Sequence, residues 1–144
     1  MFFIFAAAPI IAFLVVFVSI LLPYFRARMP SRGSFKCYKQ VGTGYYGRAI
    51  ATLEVPAEAK RYQESVLSGP HAGKFRVSEA KVLSIKDYFG KDVTEAYSLW
   101  DHTFDYKVGA TVKPRREFED SFHGQCASGI HAFMTYSAAK NMPR

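Results

Sequence analysis

Residues 2–22 form an uncharged run of 21 residues, interrupted in its apolar character only by Pro9 and Ser19. As a helix rising about 1.5 Å per residue it would span about 31 Å, close to the roughly 30 Å hydrocarbon core of a bilayer. The run is apolar on every face, so it lacks the polar stripe of an amphipathic surface helix. Pro9 removes one internal hydrogen bond, a defect that membrane helices tolerate. Pro23, Tyr24 and Phe25 followed by Arg26 and Arg28 have the pattern of an interfacial exit. A cleaved signal peptide is the competing reading. It would want a basic start, an apolar core of about 7–15 residues and a small-residue cleavage site. The sequence predicts a single transmembrane helix over residues 1–25.

Charge sets the orientation. The formal net charge is +7, and its distribution is uneven. Up to residue 53 there are six basic residues (Arg26, Arg28, Arg32, Lys36, Lys39 and Arg48) and no acidic one, while the remainder carries 13 basic and 12 acidic residues. Positive charge beside a span favours the cytosol. The expectation is therefore a single-pass membrane protein with a lumenal N-terminus and a cytosolic C-terminal domain. Arg26, Arg28, Arg32, Lys36 and Lys39 form its membrane-surface and topology collar. Residues 26–34 are the basic juxtamembrane linker, and residues 35–144 a small domain. The near-neutral balance beyond residue 53 excludes a globally basic nucleic-acid binder, and two cysteines exclude a disulfide-dense miniprotein.

Within residues 35–144 the pattern is mostly that of strands. Residues 35–41 alternate aromatic and polar positions before the turn Gly42-Thr43-Gly44, and residues 48–55 alternate again until Pro56. Residues 57–66 read as a short helix behind that proline. Residues 74–78 and 80–85 are strand-like, and residues 86–101 irregular. Residues 103–108 and 111–114 form a strand that continues or folds back at Gly109. Residues 130–134 are a last buried strand, and residues 137–141 a terminal helix. The predicted class is α+β: a transmembrane helix, then a mainly antiparallel β domain with one or two short helices.

Three stretches resemble a known family in order: Gly73-Lys-Phe-Arg-Val-Ser-Glu-Ala-Lys-Val-Leu-Ser-Ile85, Phe104-Asp-Tyr-Lys-Val-Gly-Ala-Thr-Val-Lys-Pro114 and Cys126-Ala-Ser-Gly-Ile-His-Ala-Phe-Met134. Together they are similar to a domain of unknown function common in large nucleocytoplasmic DNA viruses. Ala132 departs from that pattern, where a second aromatic is usual. The resemblance implies a viral origin and supplies no catalytic residue.

Candidate sites are few. Cys126 and His131, with His123 three residues before the cysteine, suggest metal ligands, and Cys37 or His102 would have to complete the set. A structural zinc site wants four such ligands, commonly in paired knuckles, and a second knuckle is missing. Packing is the preferred role for Cys37, Cys126 and His131. Gly129-Ile-His-Ala-Phe133 with His123-Gly124 also resembles the ADP-ribosyltransferase signature, but the spacing is wrong and the last acidic residue is Asp120. The expectation is a non-enzymatic, membrane-anchored structural protein without a cofactor: a minor capsid protein linking the internal bilayer of a large icosahedral DNA virus to its shell. Its partners would be the lipid bilayer and other subunits of a large assembly, not nucleic acid or a small-molecule substrate. The alternative is an accessory single-span subunit of a cellular membrane complex, such as a respiratory one.

Overall fold

The computed structural model describes residues 9–19, 28–45, 47–64, 66, 69–118 and 128–143. Two long strands organise it. β1 (Phe35–Thr43) and β2 (Gly47–Val55) pair antiparallel in continuous register from Phe35↔Val55 to Thr43↔Gly47. Burial alternates over Phe35–Lys39 and Ala51–Val55, as in strands with one face on a core, and is continuous over Lys39–Gly42 and Ala49–Ala51. β5 (Ala80–Asp87) adds to β2, with a register shift at Thr52/Leu53. β6 (Glu95–Tyr97) joins the other edge of β1 and pairs with β7 (Asp105–Lys107). β8 (Thr111–Val112) closes the far side, giving the order β7-β6-β1-β2-β5-β8. The chain folds back between β7 and β8 at Gly109, whose φ of 88° suits glycine.

A second sheet of three short strands packs on the first. β3 (Arg61–Gln63), β4 (Phe75–Val77) and β9 (Ile130–Ala132) are antiparallel, in the order β3-β4-β9. Phe35, Cys37, Val41, Leu53 and Val55 of the large sheet meet Phe75, Val77, Ile130 and Ala132 of the small one in the main core. On the opposite face of β1 and β2, Ile50, Phe133 and Ala139 form a smaller cluster beneath α2 (Tyr136–Lys140). Thr135 caps that helix, its hydroxyl accepting from the Ala138 N–H at 3.2 Å.

The predicted transmembrane helix is overturned. No helix among the described residues is long and apolar enough to cross a membrane. Helix α1 is described over residues 9–19. The Ser19 hydroxyl turns back to the Val15 carbonyl at 2.7 Å. Residues 1–8 and 20–27 of the expected anchor and linker lie outside the described residues. Among the described residues the fold is a mainly antiparallel β structure with two short helices, and a single-pass membrane placement with a cytosolic domain has no support. Two smaller expectations also change. The described residues of 57–66 hold no helix: a turn follows Pro56, and Arg61–Gln63 is recruited as β3 because β4 offers a strand edge. Residues 86–101, expected to be irregular, contain β6.

Arg76 holds the small sheet together. It is fully buried, and its Nε donates to Glu64 Oε1 at 2.9 Å. One terminal nitrogen donates to the Ser128 carbonyl at 2.9 Å, and the rings of Tyr62 and Phe118 lie 4.7 and 5.6 Å from the guanidinium carbon. Breaking a buried pair leaves an uncompensated charge. Glu64→Ala should therefore lower unfolding stability by about 3–5 kcal/mol in equilibrium urea denaturation. Lys107→Ala, at the exposed Lys107–Glu95 pair (3.9 Å), should change it by no more than about 1 kcal/mol. Equal effects would remove Arg76–Glu64 from its central role.

Candidate functional site: a cationic cleft with an aromatic rim

One edge of β1 changes partners along its length. At Tyr38 it faces Phe133, with hydrogen bonds of 2.8 and 2.9 Å between the two backbones. At Gly42 it faces Tyr97 of β6. Between those points the small sheet and the β6 side diverge, and a cleft opens as two adjoining hollows of about 270 and 300 Å³. Lys39, Lys74, Trp100, His131 and Met142 line both hollows.

Lys39 occupies an unusual place. Phe35, Cys37 and Val41 turn into the main core, and period-2 alternation puts Lys39 in the same row. Its ammonium escapes the apolar interior only by turning to the cleft, where Nζ donates to the His131 carbonyl at 3.0 Å. The Tyr106 ring lies 6.0 Å from Nζ. Burial pushes this ammonium down to about 8; Cys37 opposes that and the neighbouring Lys74 adds to it. Burial in turn pushes the Cys37 thiol up to about 12, against the pull of Lys39, and raises Tyr106 above the usual phenol range.

The rest of the cleft is basic and aromatic. Lys74, 4% exposed, precedes β4. Arg48, Arg115 and Arg116 add positive charge to the walls. Asp101 is the acidic residue there; it is exposed, the hydroxyl and N–H of Thr103 hold its carboxyl below the usual range, and Arg115 lies 3.5 Å away. Trp100 is 79% exposed and Tyr45 96%. Tyr97 lies across Gly42, where any Cβ would collide with its ring, and its hydroxyl donates to the Gly44 carbonyl at 2.6 Å. His102 packs on Tyr97 with ring centres 5.0 Å apart. The buried Nδ1 of His71 has no hydrogen-bond partner among the described residues.

The residues singled out from sequence scatter. Lys39 is in the cleft and not on a surface collar, whereas Lys36 is exposed on β1. Arg28 and Arg32 are exposed ahead of β1, and Arg26 lies outside the described residues. Of the suggested metal ligands, His131 and His102 both line the cleft, Cys37 is sealed in the core, and Cys126 and His123 lie outside the described residues. Among the described residues no three His, Cys, Asp or Glu side chains gather as a metal site. Sequence reasoning missed Lys74, Trp100 and the role of Lys39. The row Phe35, Cys37, Lys39, Val41 carried the signal for Lys39.

A family of unknown function, DUF5758, matches residues 25–139, and the chain belongs to that family. No curated protein and no solved structure matches it. Membership agrees with the resemblance to a domain of unknown function, and it assigns no chemistry to the cleft.

Lys39 makes stability depend on pH. Its folded value of about 8 lies below the 10.5 of an unfolded lysine, so between those limits the unfolded chain binds more protons and stability rises with pH. Carried through, that gap is worth roughly 3 kcal/mol. Cys37 acts oppositely from pH 9.0 upward, because its thiol stays protonated in the fold up to about 12. Tyr106 does the same at higher pH. Urea denaturation should show stability climbing from pH 7.5 to about 9 and then levelling or falling. Lys39→Met should abolish the climb; an unchanged profile would refute the assignment.

Proposed function

We propose that the chain is a non-enzymatic structural subunit that docks onto other proteins of a large assembly. The observation that carries this reading is helix α1. Ile10, Phe13, Leu14 and Phe17 are 51–69% exposed, and every described residue of the helix is exposed. Apolar surface of this kind marks an interaction site. Phe13 and Phe17, one turn apart with ring centres separated by 6.1 Å, form a ridge of the aromatic type that anchors interfaces. Tyr45, Phe89 and Trp100 are exposed as well, in the irregular segments that follow β1, β5 and β6. Ring surfaces of this size supply much of the energy of protein association.

In its most concrete form the assembly is the virion of a large icosahedral DNA virus, and the chain is a minor capsid protein whose partners are other capsid proteins. The three ordered motifs described from sequence support that form. It is tested by stripping lipid from purified virions with non-ionic detergent and asking what the chain stays with. Retention with the shell proteins is expected, and loss of the Phe13→Glu/Phe17→Glu double variant from particles while its denaturation profile is unchanged. Recovery of the wild-type chain only with host proteins would overturn the capsid form. Undiminished retention of the double variant would overturn docking through α1.

A further inference from the structure

One main-chain unit of β1 is left without a partner. Along an antiparallel strand, successive residues turn their N–H and C=O alternately to one neighbour and to the other. Tyr38 exchanges both bonds with Phe133, so its polar groups point away from β2. The unbroken register from Phe35 to Thr43 gives Gln40 and Gly42 the same direction. Gly42 meets Tyr97 there. Gln40, between the two contacts, makes no hydrogen bond through its N–H or C=O among the described residues. Its side chain, by contrast, is fully engaged. The amide nitrogen donates to the Tyr88 hydroxyl at 2.7 Å and the Lys140 carbonyl at 3.1 Å, and the amide oxygen accepts from Arg48 at 3.2 Å. Gln40 is 6% exposed, and main-chain groups at such depth are nearly always paired.

Two departures create the vacancy. Continued in register, β9 would set His131 against Gln40, and β6 would set Leu99 there. Instead His131 pairs with Arg76 of β4, and β6 ends at Tyr97. What remains is a slot in the edge of the sheet, opposite residues 39–41. The hollow of about 270 Å³ is walled by Phe133 and Met142 of the smaller cluster, and that of about 300 Å³ by Phe104, Tyr106 and Ile130 of the main core. The two therefore flank β1 on its opposite faces. Lys39, Trp100 and His131 border both, as residues around a gap must. An N–H and a C=O side by side, with a recess on each face, are complementary to peptide main chain carrying alternate side chains.

We propose that this slot binds a three-residue extended segment of a partner protein, whose middle residue exchanges two main-chain hydrogen bonds with Gln40. Paired residues share a face, so the middle side chain enters the first hollow, where Tyr97, Leu99, Phe133 and Met142 select an apolar group. Its two neighbours turn toward the second. Phe133 and Tyr97 close the slot at both ends, so the segment leaves the sheet beyond these three residues, as a loop tip or a chain end does. The proposal rests on the reading of the chain as a docking subunit and uses a surface other than α1.

The full chain, isotope-labelled, is tested by amide hydrogen exchange with the blocked peptides acetyl-Ser-Val-Leu-Val-Ser-amide and acetyl-Ser-Val-Phe-Val-Ser-amide. In the free chain the Gln40 amide should exchange at least tenfold faster than those of Lys39 and Val41, which face β2. Millimolar Leu- or Phe-centred peptide should slow it at least tenfold, with a saturable change in the emission of Trp100, the chain's single tryptophan. An Asp-centred peptide, and the Leu-centred one N-methylated at its central residue, should bind at least tenfold more weakly. The Phe13→Glu/Phe17→Glu double variant should bind the Leu- and Phe-centred peptides as the wild type does, so failure of docking through α1 and failure of the slot read out separately. A Gln40 amide as protected as its neighbours in the free chain, no saturable binding of either peptide into the millimolar range, or full affinity of the N-methylated peptide would overturn the proposal. Protection of Gln40 on raising the concentration of the chain alone would also overturn it, because the occupant would then be a second copy.

Discussion

The pairing of Tyr38 with Phe133 joins the two sheets, and the cleft depends on it. β1 runs through the middle of the large sheet, yet one of its edges is divided between Phe133, which continues β9, and Tyr97 of β6. Three residues of strand separate the two contacts, and the four steps between them span about 13 Å at 3.3 Å per residue. No strand is registered against that stretch of edge among the described residues. The hollow between the sheets is therefore a consequence of topology, and whatever β1 presents there becomes its floor. Gly42 keeps the far side in place, since only a residue without Cβ lets the Tyr97 ring lie across the strand.

Two buried cations in one small core are accommodated in opposite ways. Arg76 is closed off: a carboxylate, a carbonyl and two ring faces satisfy it, and its role ends in holding β3, β4 and β9 together. Lys39, 9% exposed, lies at the wall of the cleft with the His131 carbonyl as its hydrogen-bond partner. A planar guanidinium with five donors suits fixed, multidentate pairing, whereas an ammonium on a flexible stem suits a site whose partner comes and goes. The contrast is between a charge closed off by its partners and one held at the wall of a cleft.

Parts of this were legible in the sequence and parts were not. β1 and β2 could be read from alternation and the Gly42–Gly44 turn, because long strands with one buried face leave a period-2 pattern. β6 could not: three residues with only Ala96 buried are too few to show a period. The supposed helix at residues 57–66 failed because Pro56 permits a turn as readily as a helix start, and the edge of β4, distant in sequence, decided the matter. The anchor rested on length arithmetic over residues 2–22, and among the described residues no helix is long and apolar enough to cross a membrane. Lys39 was grouped with Arg26, Arg28, Arg32 and Lys36 because charges were counted along the chain. Counted across the strand, it falls in line with Phe35, Cys37 and Val41. The cleft itself had no local signature, since Lys39, Lys74, Trp100 and His131 meet only through pairing between distant segments.

Family membership leaves the chemistry open, so function has to be argued from the site. Keeping an ammonium in the core-facing row of a central strand is a stability cost that an apolar residue of similar length would avoid. Proteins retain such costs where a site needs them. Besides their shared core, the two sheets are joined by one backbone pairing and by a lysine that reaches from β1 to the carbonyl of His131 on β9, so Lys39 stands at the seam between them.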